Sequence, residues 1–315
     1  MLTAEAIFLT ILFVFVLLII GSVIFTFVAE RRNPPTGKII DCDGVRLHYQ
    51  EWGDASQPCV VLFHGNGSMI QDFASSGLVG LLAQRNRVLC FDRPGFGHSH
   101  RPRWRIWMPT AQAALFKKAL VALNVREPVV VGHSWGTLVA VALGLRSDYS
   151  VRGLVLASGY YFPTARLDFW LMSGPAVPIV GDLFRYTLAP IISAIMLPAI
   201  LRKIFAPRPV PNTFKRAFPI SLALRPKQIR AAAEESAFLI PATAQLQVQY
   251  PRIMRPVRVF HGEQDHVIER EQSQRLHQAL RCSILHDIRN AGHMVHHADP
   301  IAIAGAVDSI RAEQS

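Results

Sequence analysis

Cysteine is scarce and unpatterned. The four residues, at 42, 59, 90 and 282, form neither a C-x-x-C pair nor a zinc-type spacing, which excludes a thiolate metal motif and leaves nothing that demands an oxidising compartment. Cys59 and Cys90 lie inside apolar runs, and the set is expected to be reduced core thiols. Charge is also sparse, at 17% of residues against 50% apolar; this excludes a disordered polar chain and leaves ample material for a core. Acidic side chains are the scarcer sign, 22 against 33 basic, for a net charge of +11. Phospholipid and nucleic acid both attract such a chain. No basic stretch interleaved with aromatics marks a nucleic-acid groove, so no nucleic-acid partner is expected. No internal repeat or low-complexity tract is present, and 315 residues allow one or two domains at roughly 100–200 residues each.

Residues 6–29 lack any charged side chain and are dominated by Ile, Leu, Val and Phe. At about 1.5 Å per residue such a helix spans the ~30 Å bilayer core with its backbone satisfied internally. A cleaved signal peptide calls for a basic start, a shorter apolar run and small residues at the cut, whereas Glu5 is the only charge before this run and Phe27-Val28-Ala29-Glu30 is a poor cleavage site. An uncleaved anchor is therefore expected over residues 1–37, with Asn33-Pro34-Pro35-Thr36-Gly37 as its stiff linker. Arg31, Arg32 and Lys38 follow the span and no basic residue precedes it, so the remainder is expected in the cytoplasm.

Beyond the linker, Lys38–Cys42 and Val45–Trp52, joined by Asp43-Gly44, read as a hairpin. Short strand-like runs follow at Cys59–Phe63, Arg87–Phe91, 128–131, 151–157, 257–260 and Ser283–Ile288, with helix-length segments such as 110–123 and 137–145 between several of them. This alternation predicts an α/β fold, a mostly parallel sheet with helices on both faces. It breaks between 160 and 256, where a Pro-rich, apolar and basic stretch intervenes. The expected core is thus 38–159 with 257–315, and 160–256 a helical cap inserted into it.

Chemistry-bearing residues cluster at strand ends. Gly132-His133-Ser134-Trp135-Gly136 stands between an apolar strand and a helical run; there a Ser is held on a sharp turn with Oγ exposed, and flanking glycines remove colliding Cβ groups. A nucleophilic Ser needs a base, and the base an acid that orients it. Asp265, after the strand at 257–260, and His293, after Ser283–Ile288, supply them in the order Ser, Asp, His. Glu263 competes for the acid role, and His296 and His297 for the base; Asp265 and His293 are preferred on their place in the strand-end loops. Oxyanion donors are expected at the N–H groups of Trp135 and of Asn66, in His64-Gly65-Asn66-Gly67.

With Asp92-Arg93-Pro94-Gly95-Phe96-Gly97-His98-Ser99, these motifs together resemble the α/β-hydrolase fold family from residue 38 to the C-terminus. The resemblance implies a Ser134, Asp265, His293 triad, a lid made by the insertion, and a structural role for Asp92. A Ser at the elbow disfavours the epoxide hydrolase and haloalkane dehalogenase branches, which need a carboxylate nucleophile. Trp135 and Thr137 depart from the usual smaller residues and are expected to narrow an acyl pocket.

Within the cap, residues 186–201 lack charge and are interrupted by Pro190 and Pro198, which reads as an interfacial lid in preference to a second span. Arg208, Lys215, Arg216, Arg225, Lys227 and Arg230 form either a face for anionic headgroups or a solvated one. The expected activity is a serine esterase for hydrophobic or acyl-lipid substrates, resembling membrane-anchored monoacylglycerol lipases, with membrane lipid as its partner and no metal or organic cofactor. Thioester, amide or carbon–carbon bond hydrolysis, cofactor-free perhydrolysis, and an inactive lipid-binding scaffold stand as alternatives.

Overall fold

The β-branched and apolar runs form eight strands of one sheet: β1 Lys38–Cys42, β2 Val45–Trp52, β3 Cys59–Phe63, β4 Arg87–Phe91, β5 Val129–His133, β6 Gly153–Ala157, β7 Val257–Gly262 and β8 Ser283–Ile288. They are described by a computed structural model covering residues 3–166 and 172–313. The spatial order is β1-β2-β4-β3-β5-β6-β7-β8. β2 is antiparallel to both of its neighbours, and every pair from β4 to β8 is parallel. The hairpin turn works because Asp43 and Gly44 both take positive φ, 56° and 74°, and the Asp41 carboxylate accepts the Gly44 N–H.

Two strands run further than their apolar residues predict. β5 continues to His133 because Gly132 and His133 still pair with Leu156 and Ala157, and β7 continues to Gly262 opposite Ile288. The strand expected at 151–157 begins at Gly153. Period-two alternation survives even in wholly buried β3: Val61 and Phe63 face the core made with Leu115, Phe116, Leu138 and Val141, while Val60 and Leu62 face Phe73, Leu78, Val307 and Ile310. Helices thus cover both faces. Strand order turns at β3, with β4 on one side and β5 on the other, and such a reversal opens a crevice at the carboxyl ends of the strands.

β6 and β7 are direct neighbours, yet about a hundred residues separate them in sequence. The helices Val180–Tyr186, Leu188–Phe205, Asn212–Ala217, Ile220–Ala223 and Pro226–Gln247 fill that interval. The Leu188–Phe205 helix takes in both prolines expected to interrupt it. Pro190 falls in the first turn, where amide hydrogens have no intrahelical acceptor, and Pro198 removes one interior bond without ending the helix. Ile191, Ile192, Ile195 and Met196 on this helix are exposed.

The N-terminal helix Ala4–Arg32 buries only Ser22 and Ala29. It and Leu188–Phe205 are both long and apolar enough to cross a membrane by length and composition. Its last turn reaches the helices between β6 and β7: Glu30 Oε1 accepts from Arg225 at 2.6 Å and Lys227 at 2.8 Å, and Asn33 Nδ2 donates to Ser221 Oγ at 3.1 Å.

Of the six basic residues expected to face headgroups or solvent, Arg208, Arg225 and Arg230 are instead engaged within the fold. Arg225 is buried, Arg208 donates to the carbonyls of Asn290 and Ala298, and Arg230 donates to that of Arg101. They are committed to backbone carbonyls within the fold, whereas Lys215 and Arg216 stay exposed. Cys282 likewise departs from the expected core thiols: it precedes edge strand β8 and is exposed, whereas Cys42, Cys59 and Cys90 are buried.

Candidate active site

Ser134 follows β5 directly and holds φ at 51°, a left-handed conformation that costs a non-Gly residue free energy unless its surroundings enforce it. They do so here. The Ser134 N–H donates to the Ala157 carbonyl at 2.8 Å, and the Ser134 carbonyl accepts from Thr137 Oγ1 at 2.6 Å. A Cβ on Gly136 would lie 2.1 Å from the Phe63 carbonyl oxygen, so only glycine lets the Gly136–Gly144 helix start this close to β3.

Two further strand ends bring up the other expected residues. Asp265 lies beyond β7, its Oδ1 accepting the N–H groups of Val267 at 2.8 Å and Ile268 at 3.0 Å. Its Oδ2 accepts from His293 Nδ1 at 2.9 Å, with the carboxylate fully buried and the imidazole 6% exposed. Burial works to raise the Asp265 pKa, but the imidazole and the two amides outweigh it and hold the carboxyl below its usual range. With Nδ1–H committed to Asp265, Nε2 keeps the lone pair that a general base uses. The Asp265 and His293 loops are locked together: Gln264 N–H donates to the Ala291 carbonyl, and a Cβ on Gly262 would collide with the Gly292 carbonyl. Glu263, the competing acid, is exposed.

Ser134 Oγ and His293 are not hydrogen-bonded among the described residues, and such bonds often tighten only when substrate arrives. The elbow and the base are nonetheless neighbours, because His133 Nε2–H donates to the His293 carbonyl at 3.0 Å and the two rings lie 5.0 Å apart. The loop expected to supply an oxyanion donor also abuts Ser134: a Cβ on Gly65 would sit 3.1 Å from Ser134 Cβ. Among the described residues the N–H groups of Asn66 and Trp135 donate to no other group, so two donors beside Ser134 stay available for a developing oxyanion.

The Trp135 ring does not serve merely to fill space. It lies under the Arg93 guanidinium, 4.9 Å from its centroid, and its Nε1 donates to the Glu235 carbonyl of the Pro226–Gln247 helix at 3.1 Å. Thr137 is likewise spent on the elbow. Asp92 is fully buried and accepts from His48, Ile70 and His98, with Gly97 packed too close for any Cβ.

His296 and His297, which compete with His293 in sequence, instead donate to Asp72 Oδ1 at 3.0 and 2.9 Å. Asp72, His133 and His296 place one potential metal ligand each within 4.8 Å of one another, but Ser68 also donates to Asp72, and its carboxylate is already filled by hydrogen-bond donors. Burial lowers the His133 and His296 pKa values, keeping both rings neutral below the His293 loop. Sequence reasoning missed Asp72, Arg93, Gln112 and Glu235. Most of their partners stand far apart along the chain, and nothing local marks which of the adjacent Glu234 and Glu235 in the Pro226–Gln247 helix is buried.

The family model of the alpha/beta hydrolase fold matches residues 58–300. A 2-hydroxy-6-oxo-2,4-heptadienoate hydrolase from Pseudomonas putida is 30% identical over 270 residues, covering 84% of this chain and 91% of that protein. Among solved structures, a bacterial membrane phospholipase A superposes with a TM-score of 0.67 at 21% identity over 94% of this chain and 92% of that one. An enol-lactonase from Burkholderia xenovorans does so with 0.67 at 20% identity over 87% and 100%; at such identities these likenesses speak for the fold. With the elbow, the strand-end loops and the mostly parallel sheet, the chain belongs to the alpha/beta hydrolase fold family.

Proposed function

We propose that the chain is a membrane-anchored serine hydrolase cleaving carboxylic esters of hydrophobic, acyl-lipid substrates, similar in kind to membrane-anchored monoacylglycerol lipases. The observation that carries this reading is the convergence of a buried Asp265–His293 pair, a left-handed Ser134 and two unpaired N–H donors at neighbouring strand ends. His293 takes the Ser134 proton at Nε2 as Oγ attacks the ester carbonyl, and the oxyanion forms against the N–H groups of Trp135 and Asn66. Collapse expels the alcohol, protonated by His293, and leaves an acyl-enzyme that water releases by the reverse proton path. One imidazole handles every proton, so the cycle calls for no cofactor.

The lipid part of the proposal rests on the bare N-terminal helix and on the exposed isoleucines of Leu188–Phe205. Arg31 and Arg32 at the end of that helix support a cytoplasmic catalytic domain. Protease digestion of sealed inverted and right-side-out vesicles tests the orientation; loss of the domain from right-side-out vesicles reverses it.

A fluorophosphonate probe tests the chemistry: the wild type is expected to label and Ser134→Ala not to. A folded wild type that takes no label defeats the serine mechanism. The Pseudomonas putida relative favours one second reading, carbon–carbon bond hydrolysis of an enol-keto acid by the same residues. A panel of monoacylglycerols, acyl thioesters and a 2-hydroxy-6-oxo-dienoate separates them, and fastest turnover of the dienoate moves the substrate class there.

A further inference from the structure

Resting on the reading of Asn66 N–H as an oxyanion donor, we infer that Arg93 and Glu235 are positioning residues through which one turn of the cap helix, residues 232–236, sets the geometry of the oxyanion hole. Arg93 is fully buried at the end of β4. Its Nε donates to the His64 carbonyl at 2.7 Å and its Nη2 to the Gly65 carbonyl at 2.9 Å. Its own N–H donates to His64 Nε2 at 3.0 Å, and His64 Nδ1–H donates to the Gly65 carbonyl at 2.8 Å. The Gly65 carbonyl thus receives two side-chain donors, and the Ser68 N–H adds a longer contact at 3.4 Å.

The Gly65 carbonyl and the Asn66 N–H belong to one peptide plane. In a trans peptide they point in opposite directions, so drawing the carbonyl onto Arg93 turns the Asn66 N–H away from Arg93 and holds it there. A Lys could hold one carbonyl as a point charge; the planar guanidinium holds two at a fixed angle.

The other edge of the guanidinium belongs to the cap. Glu235 takes Arg93 Nη1 and Nη2 with its two carboxylate oxygens, the second bond at 2.9 Å. Gln112 Nε2 donates to the same carboxylate at 3.0 Å, and Arg101 Nη1 stands 3.7 Å away. Both proposed oxyanion residues are tied to the same turn by their side chains. Trp135 Nε1 donates to the Glu235 carbonyl, and Asn66 Nδ2 donates to the Ala232 carbonyl at 3.1 Å and Ser236 Oγ at 3.3 Å. Four attachments from one helical turn therefore converge on the two halves of the hole, which come from loops after β3 and β5.

Glu235→Gln keeps the shape but weakens the grip on Arg93, and Arg93→Lys keeps a buried cation but releases one carbonyl. In either variant, kcat for a p-nitrophenyl acyl ester is expected to fall about 30-fold, short of the ~100- to 1,000-fold cost of deleting a hole donor outright. KM and the midpoint of the pH–rate profile stay in place, because neither substrate binding nor His293 is touched. Affinity for a trifluoromethyl ketone, which forms the tetrahedral adduct, falls by the same factor as kcat/KM, while affinity for the matching methylene ether does not move. Circular dichroism establishes that each variant is folded, and Arg93→Lys carries the test if Glu235→Gln is not. Folded variants with wild-type kcat overturn the inference, as does an equal loss of ketone and ether binding. A wild type that fails to label at Ser134 strikes the serine mechanism instead, so the two failures are distinguishable.

Discussion

At the residue scale, the division of labour at Asp265 makes a sharp demand on its chemistry. One oxygen is filled by the Val267 and Ile268 amides and the other faces His293 Nδ1, so Asp265→Asn presents its NH2 either to two N–H donors or to the imidazole. Facing the imidazole, it favours the tautomer with the proton on Nε2, where a base is useless. Ester turnover is expected to fall about 10⁴-fold with the fold intact, measurable as loss of the acylation burst; a loss below about tenfold speaks against the proposed acid. The loops that carry Ser134, Asp265 and His293 could be located in the sequence because each lies shortly past a strand-like run and stands beside a glycine-bearing turn. Arg93 was visible only as part of a loop motif, and Glu235 not at all, since 142 positions separate the pair and nothing in the run around Glu235 announces that its carboxylate is dry.

At the scale of elements, the N-terminal helix is fastened as well as adjacent. Arg225 is fully buried, bonding the carbonyls of Leu222 and Gly97, and its carboxylate partner Glu30 sits at the end of the apolar helix. Glu30→Gln keeps a hydrogen bond and removes the charge. A loss of about 1–2 kcal/mol is expected, read as a drop of a few degrees in Tm in detergent; an unchanged Tm means that the helix end is not held to the cap through this pair. The apolar run predicted the helix from hydropathy alone, but its docking residues look like ordinary flanking charges in sequence. The cap helices were similarly half legible. Their composition excluded strands, whereas the continuity of Leu188–Phe205 through Pro190 and Pro198 depends on where each proline falls in its turn.

For the whole molecule, the sheet order was foreseeable in kind from the alternation of strands and helices, and its strand ends from the pairing of parallel neighbours that no single run reveals. Its response to acid follows from imidazoles it encloses. Burial, then the Arg93 charge, lowers the His64 pKa from 6.5 to about 3, and His133 and His296 shift the same way. Below about pH 6.5 the unfolded chain takes up protons that these folded rings refuse. Stability present at neutral pH is therefore lost as pH falls toward 3, at up to about 1.4 kcal/mol per pH unit for His64 alone. The buried carboxylates, held low, add their loss only at the acid end of that window. A Tm lower at pH 5.5 than at pH 7.5 is expected, and an equal or higher one contradicts the neutral burial of these rings. The placement of cysteine gives the molecule a single chemical handle. Burial pushes the Cys59 thiol to about 12 and raises those of Cys42 and Cys90, while Cys282 is open to solvent. A maleimide dye should attach once per chain, and under the proposed membrane anchoring, energy transfer from it to a labelled bilayer would measure how high the sheet and its helices ride above the lipid.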